Sequence, residues 1–386
     1  MRVIPSRTTL RRPAIIAVAV LALTLAAVPF LPDRTPEQGA IAPAAEAART
    51  PNRGVVTAEM RAEIERVIAG GAGLGATDAR TAVARKAARC ATFEGQRYCL
   101  GLGWTDRSPE EVAARLSQRP GPGLGREQTG DLGPAAVLAR ATSRTESTRI
   151  RAERAELTAA AESVGKVWML RHEIQGVPLP DGFAEGHPEI RIRAFGDNHP
   201  RRFSIIKGSR SLAQNRTYWC GPATMQAIGW GSSKERTDQA VWARRLRTSS
   251  AGTAITDMVR VINNHTKYDR RKYAGTYVAL DIGDFTFRQW YRLMMRHIHG
   301  YRAPVVLHPV LLTQYYPYLD DDASGHFQVG RGFDQNPDGN RQIGYFEPWD
   351  QSRFDPSEPA IDRVQWRNAY KSYRANLDHF QQNVGV

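Results

Sequence analysis

Of the three cysteines in this 386-residue chain, one stands where a thiol can do chemistry. Cys220 lies in "QNRTYWCGPATMQAI", residues 214–228, between the aromatic pair Tyr218-Trp219 and Gly221-Pro222. Proline suits the first turn of a helix, and an apolar run follows, so the spacing predicts a helix that opens at Cys220. Backbone N–H groups and the positive end of the helix dipole favour an anion there, and the thiolate is the nucleophilic form. A thiolate nucleophile needs a base, and the base needs an orienting partner. His326, in "ASGHFQVGRGFD", heads a strand; Asn336-Pro337-Asp338-Gly339 reads as a turn; "RQIGYFEP" is the returning strand. Reflection about the turn sets position 326 opposite 349. Glu347, two residues away, then shares a face with His326 as a diagonal neighbour, and Asp350 falls on the other face. A bulge in the hairpin would break this parity. Gln214, six residues before the cysteine, offers an amide donor that can complete an oxyanion hole with the Cys220 backbone N–H.

The remaining chemistry-bearing residues form no second set. Cys90 and Cys99 flank the short loop "CATFEGQRYC" and can close it as a disulfide in an oxidising compartment, leaving Cys220 as the odd thiol. His297 and His299 in "RHIHG" are two apart, so they point to different faces of a helix, and no thiol or carboxylate completes a zinc set. No metal and no cofactor is expected.

The elements that must hold Cys220 and His326 fall in the second half. Helical patterns at 221–230, 236–247 and 254–264 precede the β-rich runs "YVALDI", "APVVLHPV", "GHFQVGRGF" and "RQIGYFEPW". Helices first and strands later indicate a segregated α+β domain over 190–386. The preceding region, 54–175, reads as mainly helical. Thr57 caps a helix that ends at Gly70-Gly71, and "SPEE" at 108–111 is a capping box with proline at the first helical position. The polar stretch "RATSRTESTRIRAERAE" reads as a solvated helix face. "GVPLPDGFAEGHPE", 176–189, is the expected junction.

Residues 1–47 have the layout of an export signal or membrane anchor with a linker. Four arginines and no acid precede an apolar run from Ala14 to Leu31, and Ala45-Glu46-Ala47 fits a small-x-small cleavage site. Either reading puts the rest of the chain outside the cytoplasm, secreted or in the cell envelope, with a membrane partner only if the segment is retained. The net charge of +14 favours anionic partners such as cell-wall polymers. No zinc-finger or helix-turn-helix spacing is present, and an exported chain is not expected to bind nucleic acid.

Taken together, Gln214, Cys220-Gly221-Pro222-Ala223, Gly325-His326-Phe327, Gly332-Phe333-Asp334 and Glu347-Pro348 resemble the bacteriocin-processing type of cysteine peptidase and its wider peptidase-like relatives, within the papain-like group. The resemblance covers about residues 200–352. It implies a helix bearing the cysteine packed on an antiparallel sheet bearing the histidine. It also implies Cys220 as nucleophile, His326 as general base and acid, and Gln214 as oxyanion donor. Glu347 stands where the family has aspartate, one methylene longer, with Asp334 the substitute orienter if the hairpin is bulged. The implied activity is cleavage of a peptide or protein substrate through a thioester. A non-catalytic peptide-binding module and an acyltransferase are the alternatives on the same fold. There is no ATPase motif and no bundle of membrane helices, so the leader-trimming substrate of the transporter-fused members does not carry over.

Overall fold

Thr57 accepts the Met60 N–H and opens α1 (Ala58–Ala69), whose Met60, Ile64, Val67 and Ile68 are buried at the helical spacing visible in the sequence. This computed structural model describes residues 53–74, 79–118, 128–190, 198–270, 272–336 and 340–386. The expected export segment and the tip of the 336–339 turn lie outside the described residues. After α1 come α2 (Arg80–Ala87), α3 (Pro109–Ser117), α4 (Pro134–Thr142), α5 (Glu146–Ala161), α6 (Val164–Gln175) and the single turn α7 (Phe183–Gly186). Ser108 and Glu111 form the capping box of α3. The polar stretch lies on α4 and α5 and is only partly solvated: Arg149 is buried and pairs with Glu153, Arg140 pairs with Asp257, and Glu156 accepts the Tyr98 hydroxyl and the Gly101 N–H.

The later helices are α8 (Cys220–Ser232), α9 (Gln239–Leu246), α10 (Ile255–His265), α11 (Phe287–Met295), the short α12 (Gln351–Phe354) and α13 (Ala369–Asp378). The strands are β1 (Cys90–Phe93), β2 (Gln96–Cys99), β3 (Gly103–Trp104), β4 (Arg202–Ser204), β5 (Ala279–Asp281), β6 (Val305–Leu307), β7 (Gln328–Asp334), β8 (Gln342–Phe346), β9 (Val364–Asn368) and β10 (Asn383–Gly385). They join in one sheet in the order β1-β2-β3-β5-β10-β6-β7-β8-β9, with β4 on β7. Pairing is antiparallel except between β3 and β5. The fold is α+β of the papain-like type, but helices and strands interleave along the chain where the sequence pattern predicted helices first and strands later.

The region before 176 is helical but also supplies β1–β3, which the sequence pattern did not show. Glu94 and Gly95 both have positive φ, the tight turn that closes the β1–β2 hairpin. Gly103, at φ +110°, lies so close to β5 that a Cβ there would sit 2.4 Å from the Ala279 carbonyl oxygen. Through that contact the hairpin extends the sheet. Residues 49–386 form one compact unit, so the stretch 176–189 is a connection across its surface. The larger of two apolar clusters runs from Met60 on α1 through Met225 on α8 to Val384 on β10, and the smaller gathers Val83, Leu102, Val112 and Leu138. Among the described residues, no helix is long and apolar enough to cross a membrane.

Cys90 and Cys99 are directly opposed on β1 and β2 and are disulfide-bonded, nine residues apart. Closing a loop of that length removes chain entropy from the unfolded state. Replacing both cysteines by serine is expected to lower the unfolding free energy by about 2–3 kcal/mol, measured by denaturant titration.

Candidate active site

Cys220 is the first residue of α8 and is completely buried. Gly221 follows because Thr253 closes on the helix start: a Cβ at 221 would meet the Thr253 Oγ1 at 2.5 Å. On its other side α8 is pinned to the histidine strand, where the Thr224 hydroxyl donates to the Phe327 carbonyl at 3.0 Å. Burial, then the carboxylates of Asp131 and Glu347, push the Cys220 thiol well above its ordinary range. The N–H groups of Phe327 and Gly221 bond to the sulfur and oppose this without overcoming it. Position at a helix mouth led us to expect an ionised thiol. Burial and the nearby negative charges instead favour the protonated thiol.

His326 precedes β7 and is likewise fully buried. Its N–H donates to the Pro309 carbonyl at 2.9 Å, which ties it to the end of β6. Val329 pairs with Phe346, and continuing that register by three residues sets 326 opposite 349. A bulge does occur, between Gly330 and Gly332. It lies on the turn side of the site, so it absorbs an offset near the turn and leaves the parity at His326 intact. His326 Nε2 and Glu347 Oε1 are 2.8 Å apart. Nδ1, the other ring nitrogen, is buried with no hydrogen-bond partner among the described residues.

Glu347 has no exposed surface, and its four bonds explain how a carboxylate tolerates that. Oε1 also accepts the Trp349 N–H at 2.9 Å; Oε2 accepts the Tyr318 hydroxyl at 2.6 Å and the Gln328 amide at 2.7 Å. Burial works against ionisation, but His326, Tyr318 and the Trp349 N–H together hold the carboxyl below its usual range. Asp334 stands at the far end of β7, within 4 Å of Arg201 and Arg202, and makes no bond to His326.

Gln214 is buried, its N–H bonded to the Pro348 carbonyl at 2.8 Å. Its loop is thereby fixed to the strand that carries Glu347. The side-chain amide donates to the carbonyls of Thr129, Arg216 and Thr217 at 3.2, 3.0 and 2.6 Å. The Cys220 N–H donates to the same Thr129 carbonyl at 3.3 Å. Two donors that can form an oxyanion hole therefore converge on one oxygen.

Thr129 was not foreseen from the sequence, nor was the cluster beside it. Asp131 Oδ2 lies 3.3 Å from His308 Nε2 and 2.8 Å from His379 Nε2. Their three candidate ligand atoms are close enough for a metal. Hydrogen bonds account for the arrangement by themselves: Asn383 takes His308 Nδ1 at 2.7 Å, and the Gln381 N–H reaches His379 Nδ1 at 3.2 Å. Burial holds His379 down to about 4, and the two rings hold the buried Asp131 carboxyl far below its usual range. The only sequence signal for this cluster is the "LHP" after a strand; Asp131 and His379 sit in unremarkable polar contexts. Of the adjacent pair His297 and His299, the first bonds the Ala303 carbonyl and the second His199.

Residues 207–376 match the family model described as Peptidase_C39 like family. No curated protein and no solved structure is similar enough to this chain to count as a match.

Glu347→Ala strips the acceptor from four donors and is expected to cost about 3–5 kcal/mol of stability, read by denaturant titration. Because folded Glu347 titrates below its ordinary 4.5, its contribution is complete above that pH and is lost as pH falls through the folded value. Glu347→Gln should flatten that acid limb of the stability profile.

Proposed function

With residues 207–376 matching the Peptidase_C39 like family, we propose that this chain is an exported papain-like cysteine peptidase. It cleaves peptide or amide bonds through a thioester at Cys220. The observation that carries this reading is the buried His326–Glu347 pair, whose geometry leaves only Nδ1 to exchange a proton. The Cys220 thiol gives its proton to Nδ1 as the sulfur attacks the substrate carbonyl. Glu347 balances the imidazolium from the Nε2 side. The Cys220 N–H and the Gln214 amide receive the oxyanion. The departing amine takes the proton from Nδ1, and water, deprotonated by the same nitrogen, releases the acid.

Complete burial of Cys220 favours one second reading, acyl transfer to an acceptor other than water. Glu347 reaches His326, and this counts against a non-catalytic peptide-binding module. Export is supported by the charged and apolar N-terminus and by the Cys90–Cys99 disulfide. Anionic partners such as wall polymers are supported by the net charge of +14. They are supported also by an open hollow of about 530 Å³ lined by Arg216, Trp219, Arg244 and Arg247.

The test is turnover of a peptide library by the purified chain, with products identified by mass. Cys220→Ala is expected to abolish cleavage and His326→Ala to reduce it to near that blank. Gln214→Ala should lower kcat by about 10²–10³-fold, the usual loss of one oxyanion donor, with KM little changed. Cleavage that survives Cys220→Ala rejects the mechanism; products joined to an added amine in place of free acids select transfer.

A further inference from the structure

The Thr129 carbonyl occupies the point where the Cys220 N–H and the Gln214 amide meet, at 3.3 and 3.2 Å. It is held there from both sides. On one side, the Thr129 N–H donates to the Ser324 hydroxyl at 3.0 Å and its own hydroxyl to the Gly325 carbonyl at 2.8 Å. On the other, the segment lies parallel to Thr253, as a strand added to the rim of the helix mouth. Thr253 N–H donates to the Gly130 carbonyl at 2.8 Å, and Leu132 N–H to the Thr253 carbonyl at 3.0 Å.

Two side-chain positions are shaped as closely as the backbone. Gly130 has φ +119°, and a Cβ there would sit 2.5 Å from the Tyr218 carbonyl group, so no other residue fits unmoved. The Asp131 carboxylate enters between His308 and His379, both almost wholly buried. Gly325 makes room for it: a Cβ at 325 would lie 2.5 Å from that carboxylate. Thr129 is entirely buried, and Leu132 nearly so.

We propose that the cleft binds an extended peptide in which glycine is followed by an acidic residue, and that its resting occupant is the chain's own segment 128–132. The proposal rests on the peptidase reading for the identity of the cleft. It adds what that cleft prefers and what closes it. The segment seats its Thr129 carbonyl on the Cys220 N–H and brings the Asp131 charge into the site, which with burial raises the thiol above its ordinary range. It behaves as an inhibitor because it is anchored on both sides of the Thr129–Gly130 bond: were the sulfur to take the Thr129 carbonyl, the Gly130 amine would stay in place and close the bond again. A free peptide has no such tether on its leaving half.

The test is alkylation of Cys220 by iodoacetamide in the full chain, where the other two cysteines are bonded. The wild type should react slowly, and Gly130→Ala and Asp131→Asn at least ten-fold faster. Excess free peptide Gln-Thr-Gly-Asp-Leu added to either variant should slow the reaction for as long as uncleaved peptide remains, and the same peptide with alanine for glycine should not. Native near-ultraviolet dichroism is the check that each variant has folded, and either one suffices. Amide exchange in the wild type needs no variant: the Thr253 N–H should be strongly protected. Folded variants that alkylate at the wild-type rate, or a Thr253 N–H that exchanges freely, overturn the proposal. A variant whose thiol opens but which cleaves no peptide supports the closure and rejects the peptidase reading.

Discussion

A carboxylate with no access to water survives only if every lone pair is answered, and Glu347 is answered four times. His326, the Trp349 backbone, Tyr318 and Gln328 converge on its two oxygens. Those partners come from the strand before it, the residues after it, a loop and the same histidine strand. Satisfying one carboxylate therefore fixes the β7–β8 register, the rotamer of His326 and the approach of the 311–323 loop together. The longer glutamate can serve where a shorter acid would because the register makes it a diagonal neighbour of His326, a separation that its extra methylene helps to cross.

Much of this pair was legible in advance. Side chains alternate along strands, so a turn and two strand patterns were enough to put 326 and 347 on one face. The bulge at Gly330–Gly332 was not legible, and parity survived because the extra residue offsets a one-residue shift of the register on the turn side, where Asp334 pairs with Gln342. The opening of α8 at Cys220 followed from Gly221-Pro222 and the apolar run. The ionisation state of its sulfur did not, because burial and the facing Asp131 are tertiary facts that no local pattern carries. Capping residues at Thr57 and Ser108 marked their helices well, for the same reason: a cap is satisfied within one turn.

What the sequence hid was pairing over long separations. β3 has two residues and β10 three, too short to show alternation, yet both lie in the middle of the sheet. The same holds for Thr129 and Asp131, which sit between a glycine-rich stretch and a helix and gain meaning only from residues about 90 to 250 positions away. The region before 176 looked like a helical accessory because its helices have clear caps and periodicity. Its contribution to the sheet is made by the few residues that show neither.

The place of β10 bears on how the protein comes into being. Asn383–Gly385 lie between β5 and β6, and β5 on its other side is joined to β3, where Trp104 pairs with Leu280 far along the chain. Nothing can fill the gap between β5 and β6 until residue 385 has been made. Closing loops of such length costs entropy before any contact rewards it, and topologies of this kind assemble slowly. Asn383 also holds His308, so the two-histidine pocket waits on the same event. During synthesis the chain therefore carries Cys220 on a helix that can form early, before the sheet around it is complete. The order of manufacture delays completion of the sheet around Cys220 until residue 385 is available.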